Sequence, residues 1–293
     1  MVTAAIATFR PGDFLELTKP RIVGLVLLTV AAGFVMAAGL PGPAEAVLLL
    51  NTLAGTALVA GGTNALNQVF ERDVDALMAR TRGRPLPQGR LSPETATAFA
   101  WALGLGGILY LAFAVNGITA LLAALTLGSY VFLYTPLKRR SRVATLVGSV
   151  PGALPIVGGW TAGGGGLGIE AWALFWIVFL WQLPHFMSLA WLYRKDYARA
   201  GLKTLGASED GPGTFRQAAL YALALLPVSL IPALLHLAGA VYFAGAMLLS
   251  GWFVWVSGRA ALRLDERAAR RVFSASVLYL PALLALMVAG RVV

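Results

Sequence analysis

Residues 46–66 read AVLLLNTLAGTALVAGGTNAL and run directly into NQVFERDVDALMARTRGRP over 67–85. The first stretch carries no formal charge and matches the roughly 20 apolar residues that take a helix across a bilayer. The second is rich in carboxylates and arginines. An apolar helix that ends in a charged segment is the unit from which the whole chain is read. Nine such apolar stretches follow one another, at 22–40, 46–66, 95–114, 118–135, 143–161, 170–192, 217–237, 239–257 and 272–290. The expectation is an all-α polytopic membrane protein, a single domain over 1–293, with nine transmembrane helices.

Composition agrees. The 293 residues are 58% hydrophobic and 12% charged, with a mean hydropathy of +0.76, whereas soluble domains carry about a quarter charged residues. There is no cysteine, which excludes disulfides, thiolate metal sites and cysteine nucleophiles. The opening resembles a signal peptide superficially, but the run from Ile22 is long and eight more follow, so it reads as a first transmembrane helix. Pro41-Gly42-Pro43, Asn116-Gly117 and Gly163 to Gly166 supply turn chemistry between neighbours. Proline inside spans, at Pro151, Pro155, Pro184, Pro227, Pro232 and Pro281, is tolerated because neighbouring helices satisfy the freed carbonyls.

Charge sets the orientation. Of the 23 Lys and Arg residues, three precede the first span, and five, four, five and five fall after spans two, four, six and eight. Arg291 alone lies on the other side, with Glu45 and Glu170. By the positive-inside rule the amino terminus is cytoplasmic, the carboxyl terminus is outside and the number of spans is odd. The net charge of +10 would suggest nucleic acid in a soluble protein; confined to one face of a bilayer protein, it points to lipid and predicts no nucleic-acid partner.

In 67–85, Asn67, Glu71 and Asp75 recur every four residues, which puts them on one face of a continuing helix. Two carboxylates in that arrangement suit Mg²⁺ shared with a diphosphate, since Mg²⁺ takes oxygen ligands and retains waters. Asp73 projects roughly opposite. Arg72, Arg80, Arg82, Arg84 and Arg90 offer planar donors that fit phosphate oxygens. The same residues also suit a solvated loop whose charges pair locally.

A second segment, FLWQLPHFMSLAWLYRKDYARAG over 179–201, places His185 in an apolar helix directly after Pro184, with Arg194, Lys195 and Asp196 eleven or so residues on. His185 and Asp196 share a face about 16 Å apart along the axis. An ionisable group at membrane depth is a functional candidate, and an imidazole there could ligate a metal or haem iron; a neutral histidine bonded to a carbonyl freed by Pro184 is the plainer alternative. His236 belongs to the opposite face and reads as structural. YTPLKRRSRVATLVGSVPGALP over 134–155 adds Tyr134, Lys138, Arg139 and Arg140, either a diphosphate clamp or a lipid-attracting cluster. Asn67 and Asp196 are separated by four spans, which hints at a doubled four-helix unit, helices 1–4 and 5–8, with helix 9 appended.

Together TKPRIV near the start, the acidic segment leading to MARTRGRPLP, YTPLKRRS, and WQLPHF followed by RKDYARAG resemble the UbiA-type intramembrane prenyltransferases, and their haem-modifying branch in particular. The resemblance implies a nine-helix bundle around a central cavity open laterally to lipid, and farnesyl transfer from farnesyl diphosphate to a vinyl group of haem b in the cell membrane. It implies catalytic roles for Asn67, Glu71, Asp75 and Asp196, with Mg²⁺ on Glu71, Asp75 and Asp196. Arg72, Arg80, Lys138, Arg139 and Lys195 would meet the diphosphate and His185 the haem. A downstream haem-modifying enzyme or oxidase subunit would then receive the product. Two departures stand out: Glu71 where the superfamily more often has Asp, and Leu-Lys-Thr-Leu after Gly201 where relatives often have Pro-Met-Leu-Pro. Rival readings are a relative with a quinone-precursor or chlorophyllide acceptor, a secondary transporter and a structural subunit. Coupling acids of transporters tend to lie near the midplane; here the carboxylates gather at one face.

Overall fold

The computed structural model describes residues 10–207 and 211–292. Among them all regular structure is helical, apart from an isolated bridge between Ala238 and Arg291. The helices are α1 (Pro11–Thr18), α2 (Pro20–Ala38), α3 (Pro43–Phe70), α4 (Arg72–Leu77), α5 (Pro93–Ala114), α6 (Gly117–Gly128), α7 (Thr135–Leu137), α8 (Ala144–Ala162), α9 (Ile169–Leu192), α10 (Arg194–Arg199), α11 (Gly211–Leu234), α12 (Ala240–Arg263) and α13 (Glu266–Ala289). A π-helical turn, Ser129–Tyr134, joins α6 to α7.

Among the described residues, eight helices are long and apolar enough to cross a membrane. They match eight of the nine expected spans, with the fourth composed of α6, the π turn and α7. The remaining expected span, 143–161, is α8, which is not among the eight. Its glycines, Pro151, Pro155, Thr145 and Ser149 dilute its apolar character. It packs against α2, α6 and α9, and most of its residues are buried, so it has little need of the long side chains that face lipid. Several helices run beyond their expected ends. Asp265, for example, caps α13 by accepting from the Ala268 amide at 2.6 Å, which brings Arg267, Arg270 and Arg271 into the helix.

The chain closes on itself. Sequential neighbours α2–α3, α3–α5, α5–α6, α6–α8, α8–α9, α9–α11, α11–α12 and α12–α13 pack together, and α13 returns to both α2 and α9. Small residues set the closest approaches. A methyl at Gly62 would lie 2.5 Å from the Gly104 nitrogen, and one at Gly159 would collide with the Val30 carbonyl. Van der Waals contact between backbones replaces the hydrophobic effect as the glue in lipid. Large apolar side chains such as Phe113, Leu248 and Leu278 point outward, as lipid-facing residues should. Pro151, Pro155, Pro184, Pro227, Pro232 and Pro281 all lie inside helices, as expected.

Both long helices that carry the sequence motifs end alike. α3 stops at Glu71 (φ −101°, ψ 9°) and α9 at Tyr193 (φ −104°, ψ 19°), and each is followed by a six-residue helix, α4 or α10. The expected continuing helix at 67–75 is therefore interrupted for one residue. The i to i−4 bonds nonetheless persist, from the Glu71 amide to Asn67 at 3.0 Å and from the Asp75 amide to Glu71 at 2.7 Å. The four-residue rhythm survives the break.

Candidate active site at the basic face

Asn67 is fully buried at the end of α3, where its amide nitrogen donates to Thr135 Oγ1 at 3.3 Å and its oxygen accepts from Lys19 Nζ at 3.0 Å. Thr135 Oγ1 in turn donates to the Tyr130 carbonyl, at 2.9 Å, inside the π turn. The same carbonyl also accepts the Thr135 backbone amide, so the side chain and the last bond of the π turn share one acceptor. Lys19 lies between α1 and α2 in the left-handed region (φ 54°, ψ 63°), a conformation that costs a non-glycine residue about 1–2 kcal/mol. The α1 end is held by side chains of α3: Asn64 Nδ2 donates to the Thr18 carbonyl at 3.2 Å and Gln68 Nε2 to the Leu17 carbonyl at 2.9 Å.

Around this pivot the acids are closed by cations. Lys138 Nζ donates to Glu71 Oε1 at 2.8 Å and lies 4.4 Å from the Tyr134 ring centroid. Arg84 Nη1 donates to Asp75 Oδ2 at 2.6 Å, where Asp75 is 1% exposed. Burial works to raise the Glu71 carboxyl, but the charge and hydrogen bond of Lys138, with Lys19 and Asn67, hold it below the usual carboxylate range. Burial likewise opposes charge on Lys138, yet Tyr134 and Glu71 keep it protonated well above the ordinary lysine range. Lys19 goes the other way. Burial first, then the positive fields of Arg84 and Lys138, lower it from 10.5 to about 7, against the pull of Glu71 and Asp75.

The second motif adjoins the first. Tyr197, next to Asp196, packs with Val74, next to Asp75, and with Met78, Ala200 and Leu202. The Arg80 guanidinium lies 5.2 Å from the Tyr193 ring centroid. The loop after Gly201 locks onto the basic segment: the Lys203 amide donates to the Lys138 carbonyl at 2.7 Å and the Leu205 amide to Thr145 Oγ1 at 3.1 Å. Asp196 itself pairs with Arg199 one turn on. The two acidic segments therefore meet, while their carboxylates keep separate partners. Among the described residues no three His, Cys, Asp or Glu side chains gather as a metal site.

Not every expected donor joins the cluster. Arg72 pairs with the outward Asp73 at 3.3 Å, and Arg139 and Lys195 are exposed. Lys19 and Arg84 take the inner places instead. Arg84 was visible only as one of several arginines, and Lys19 only as part of TKPRIV; neither sequence context says which side chain turns inward.

His185 lies deeper, half-buried among Trp181, Phe186 and Phe273, with ring centroids 5.3, 5.6 and 5.0 Å away. Its Nδ1 is 2.8 Å from Ser276 Oγ, and that hydroxyl spends its own proton on the Phe273 carbonyl at 2.6 Å. The Ser276 oxygen must then accept, which puts the imidazole proton on Nδ1 and leaves the Nε2 lone pair available. Trp181 Nε1 fixes the same turn by donating to the Ser276 carbonyl at 2.7 Å. The carbonyl freed by Pro184 is not the partner of this ring. Fixing one nitrogen so that the other presents a lone pair is how proteins prepare a metal-binding histidine.

Residues 26–286 match the sequence profile of the UbiA prenyltransferase family. A protoheme IX farnesyltransferase from Solibacter usitatus is 48% identical, covering 95% of this chain and 98% of the relative. One from Salinibacter ruber is 47% identical over 94% of this chain and 97% of its own length. Among solved structures, one of digeranylgeranylglyceryl phosphate synthase superposes with a TM-score of 0.79 at 15% identity, covering 95% and 97% of the two chains. A UbiA homologue from Archaeoglobus fulgidus bound to GPP and Mg²⁺ superposes with a TM-score of 0.66 at 18% identity, covering 94% and 99%. At those identities the structures speak for the fold. The profile and the full-length relatives speak for more: the chain belongs to the UbiA prenyltransferase family and, within it, to the protoheme IX farnesyltransferases.

Proposed function

We propose that this protein transfers the farnesyl group of farnesyl diphosphate to a vinyl carbon of haem b, at the cytoplasmic face of the cell membrane. The observation that carries the site assignment is the buried cluster of Lys19, Asn67, Glu71, Asp75, Arg84 and Lys138, sealed against the second acidic segment through Tyr197. Buried carboxylates at a membrane face with matched cations beside them suit a doubly charged leaving group carried on an apolar tail.

The donor set fits Mg²⁺ in chemistry, since it consists of hard oxygens and Mg²⁺ commonly takes one or two carboxylates and completes its shell with substrate phosphates and water. Glu71 and Asp75, with Asp196 from the second segment, would hold it, and it would neutralise charge on the departing diphosphate. On substrate arrival Lys138 and Arg84 exchange their carboxylate partners for phosphate oxygens, and Lys19 adds a third cation. Arg80 lies near enough through Tyr193 to join them; Arg72, Arg139 and Lys195 act at longer range. Donors aimed at the charge that develops are usually the largest catalytic contribution.

The bond from farnesyl C1 to the bridging oxygen breaks, with its electron pair leaving on diphosphate. The vinyl terminus attacks C1, and the resulting cation beside the porphyrin ring is taken by water, which loses a proton. His185 Nε2 would bind the haem iron and so fix which vinyl group faces C1. The matched breaks at Glu71 and Tyr193 support a doubled four-helix unit that builds the site from equivalent ends of its two halves.

Purified protein incubated with haem b, farnesyl diphosphate and Mg²⁺ should yield a haem heavier by one farnesyl group and one hydroxyl group. Recovery of unmodified haem b from protein that still binds it would overturn the assignment.

A further inference from the structure

A cavity of about 450 Å³ lies away from this site, in the groove between α12 and α13. Its mouth is formed by Arg259, Arg270 and Arg271, and its inner wall by Trp252, Trp255 and Leu278. No carboxylate lines it. Seven residues of helix separate Arg259 from Trp252 and Arg271 from Leu278, about 10 Å in each case. The groove is therefore cationic at the basic face and apolar one headgroup-length further in.

The arginines are unequally engaged. Arg270 pairs with Glu266 at 2.7 Å, so its charge is partly matched. Arg259 lies 5.0 Å from the Trp255 ring centroid, an arrangement that leaves the guanidinium edge free for oxygen acceptors. Ser274 adds a hydroxyl between Arg270 and Leu278. At 100° per residue, Arg271, Ser274 and Leu278 fall on the side of α13 opposite Phe273 and Ser276, which face His185. The groove thus opens to lipid: Trp255 is 57% and Leu278 64% exposed.

We propose that this groove is a binding site for an anionic phospholipid, with the headgroup phosphate on Arg259 and Arg271 and an acyl chain along Trp252 and Leu278. Charge complementarity selects the occupant. A zwitterionic lipid brings a cation to a mouth that already holds three arginines, whereas an anionic one brings none. Tryptophan at headgroup depth is the usual interfacial anchor, and each arginine near an anionic surface contributes enough to bias binding several-fold. The site stands independently of the transferase assignment.

The test is native mass spectrometry of the detergent-purified protein titrated with palmitoyl-oleoyl phosphatidylglycerol or the matching phosphatidylcholine. The protein should retain phosphatidylglycerol about tenfold better, and the preference should shrink as salt rises. The double variant Arg259→Gln/Arg271→Gln should lose that preference, while Arg259→Lys/Arg271→Lys, which keeps the charge, should retain most of it. Farnesyl transfer in detergent should be the same in all three. Equal retention of the two lipids by the unaltered protein would overturn the proposal, as would a preference that survives in the glutamine variant. Loss of haem retention in the glutamine variant with lipid preference intact would assign the groove to the tetrapyrrole and likewise overturn it.

Discussion

At the scale of single residues, Lys19 is the most informative. Its folded value of about 7 lies below the ordinary 10.5, so the unfolded chain binds more protons between those pH values. Its burial therefore weakens the fold most below pH 7, and the penalty fades as pH rises toward 10.5. For function the sign reverses, because a diphosphate prefers the charged amine. Above pH 7 the free protein must take up a proton to bind substrate, so kcat/KM should fall with a limiting slope of about tenfold per pH unit. Lys19→Gln should lower kcat/KM and remove this limb relative to the unaltered protein, and Lys19→Arg should move it to higher pH. Parallel profiles for all three would remove Lys19 from the site. Asp75→Asn keeps the side-chain shape and one acceptor for Arg84 but loses the carboxylate charge. A drop of about a hundredfold or more in kcat is expected, in line with the loss of one electrostatic group from an active site; unchanged turnover would discredit the metal assignment. His185→Ala should alter the absorption spectrum of bound haem and shift the ratio of vinyl isomers in the product. An unchanged spectrum and an unchanged product would leave the ring a structural role.

At the scale of elements, the placement of the site depends on how closely α2 meets α8 and α3 meets α5. Gly159 faces the Val30 carbonyl with no room for a side chain, so Gly159→Val must push α2 and α8 apart. Overpacking of this kind costs about 1–3 kcal/mol. Thermal unfolding in detergent should show a clearly lowered midpoint, whereas Gly251→Ala, at a position with open space around it, should leave the midpoint nearly unmoved. The helices themselves were legible in the chain, because length, hydropathy and Gly/Pro punctuation act locally. The motif positions of Asn67, Glu71 and Asp75 were legible as well, since a four-residue rhythm is a property of the helix alone. What could not be read was the direction of the cations. Arg72 and Arg84 are the same residue type in the same loop, yet one turns out to Asp73 and the other in to Asp75. Around the inner pair the Thr81 hydroxyl donates to the Asp75 carbonyl, and the distant Lys203 amide donates to the Lys138 carbonyl. Neither contact has a periodic signature. Ser276, ninety-one residues from His185, is another such partner.

At the scale of the molecule, the number of spans turns on one element. α8 is enclosed by α2, α6 and α9 and is less apolar than its neighbours, so its passage through the bilayer decides whether the carboxyl-terminal half faces the way the charge asymmetry requires. If α8 crosses, the loops holding Asp75 and Asp196 share one face, and the packing of Tyr197 against the cluster of Val74, Met78 and Ala200 follows from topology. If α8 folded back on one side, every later loop would be inverted, and Arg194, Lys195 and the arginines of α12 and α13 would lie on the face that the positive-inside rule disfavours. The absence of cysteine makes the test direct, because a single introduced thiol is the only one present. Arg140→Cys and Gly166→Cys flank α8 at positions where no helix packing is disturbed; Gly166 has open space around it. A membrane-impermeant maleimide should label Arg140→Cys in inside-out vesicles only and Gly166→Cys in right-side-out cells only. Labelling of both from the same side would show that α8 does not cross, and Asp75 and Asp196 would then lie on opposite faces, where no single diphosphate could reach both.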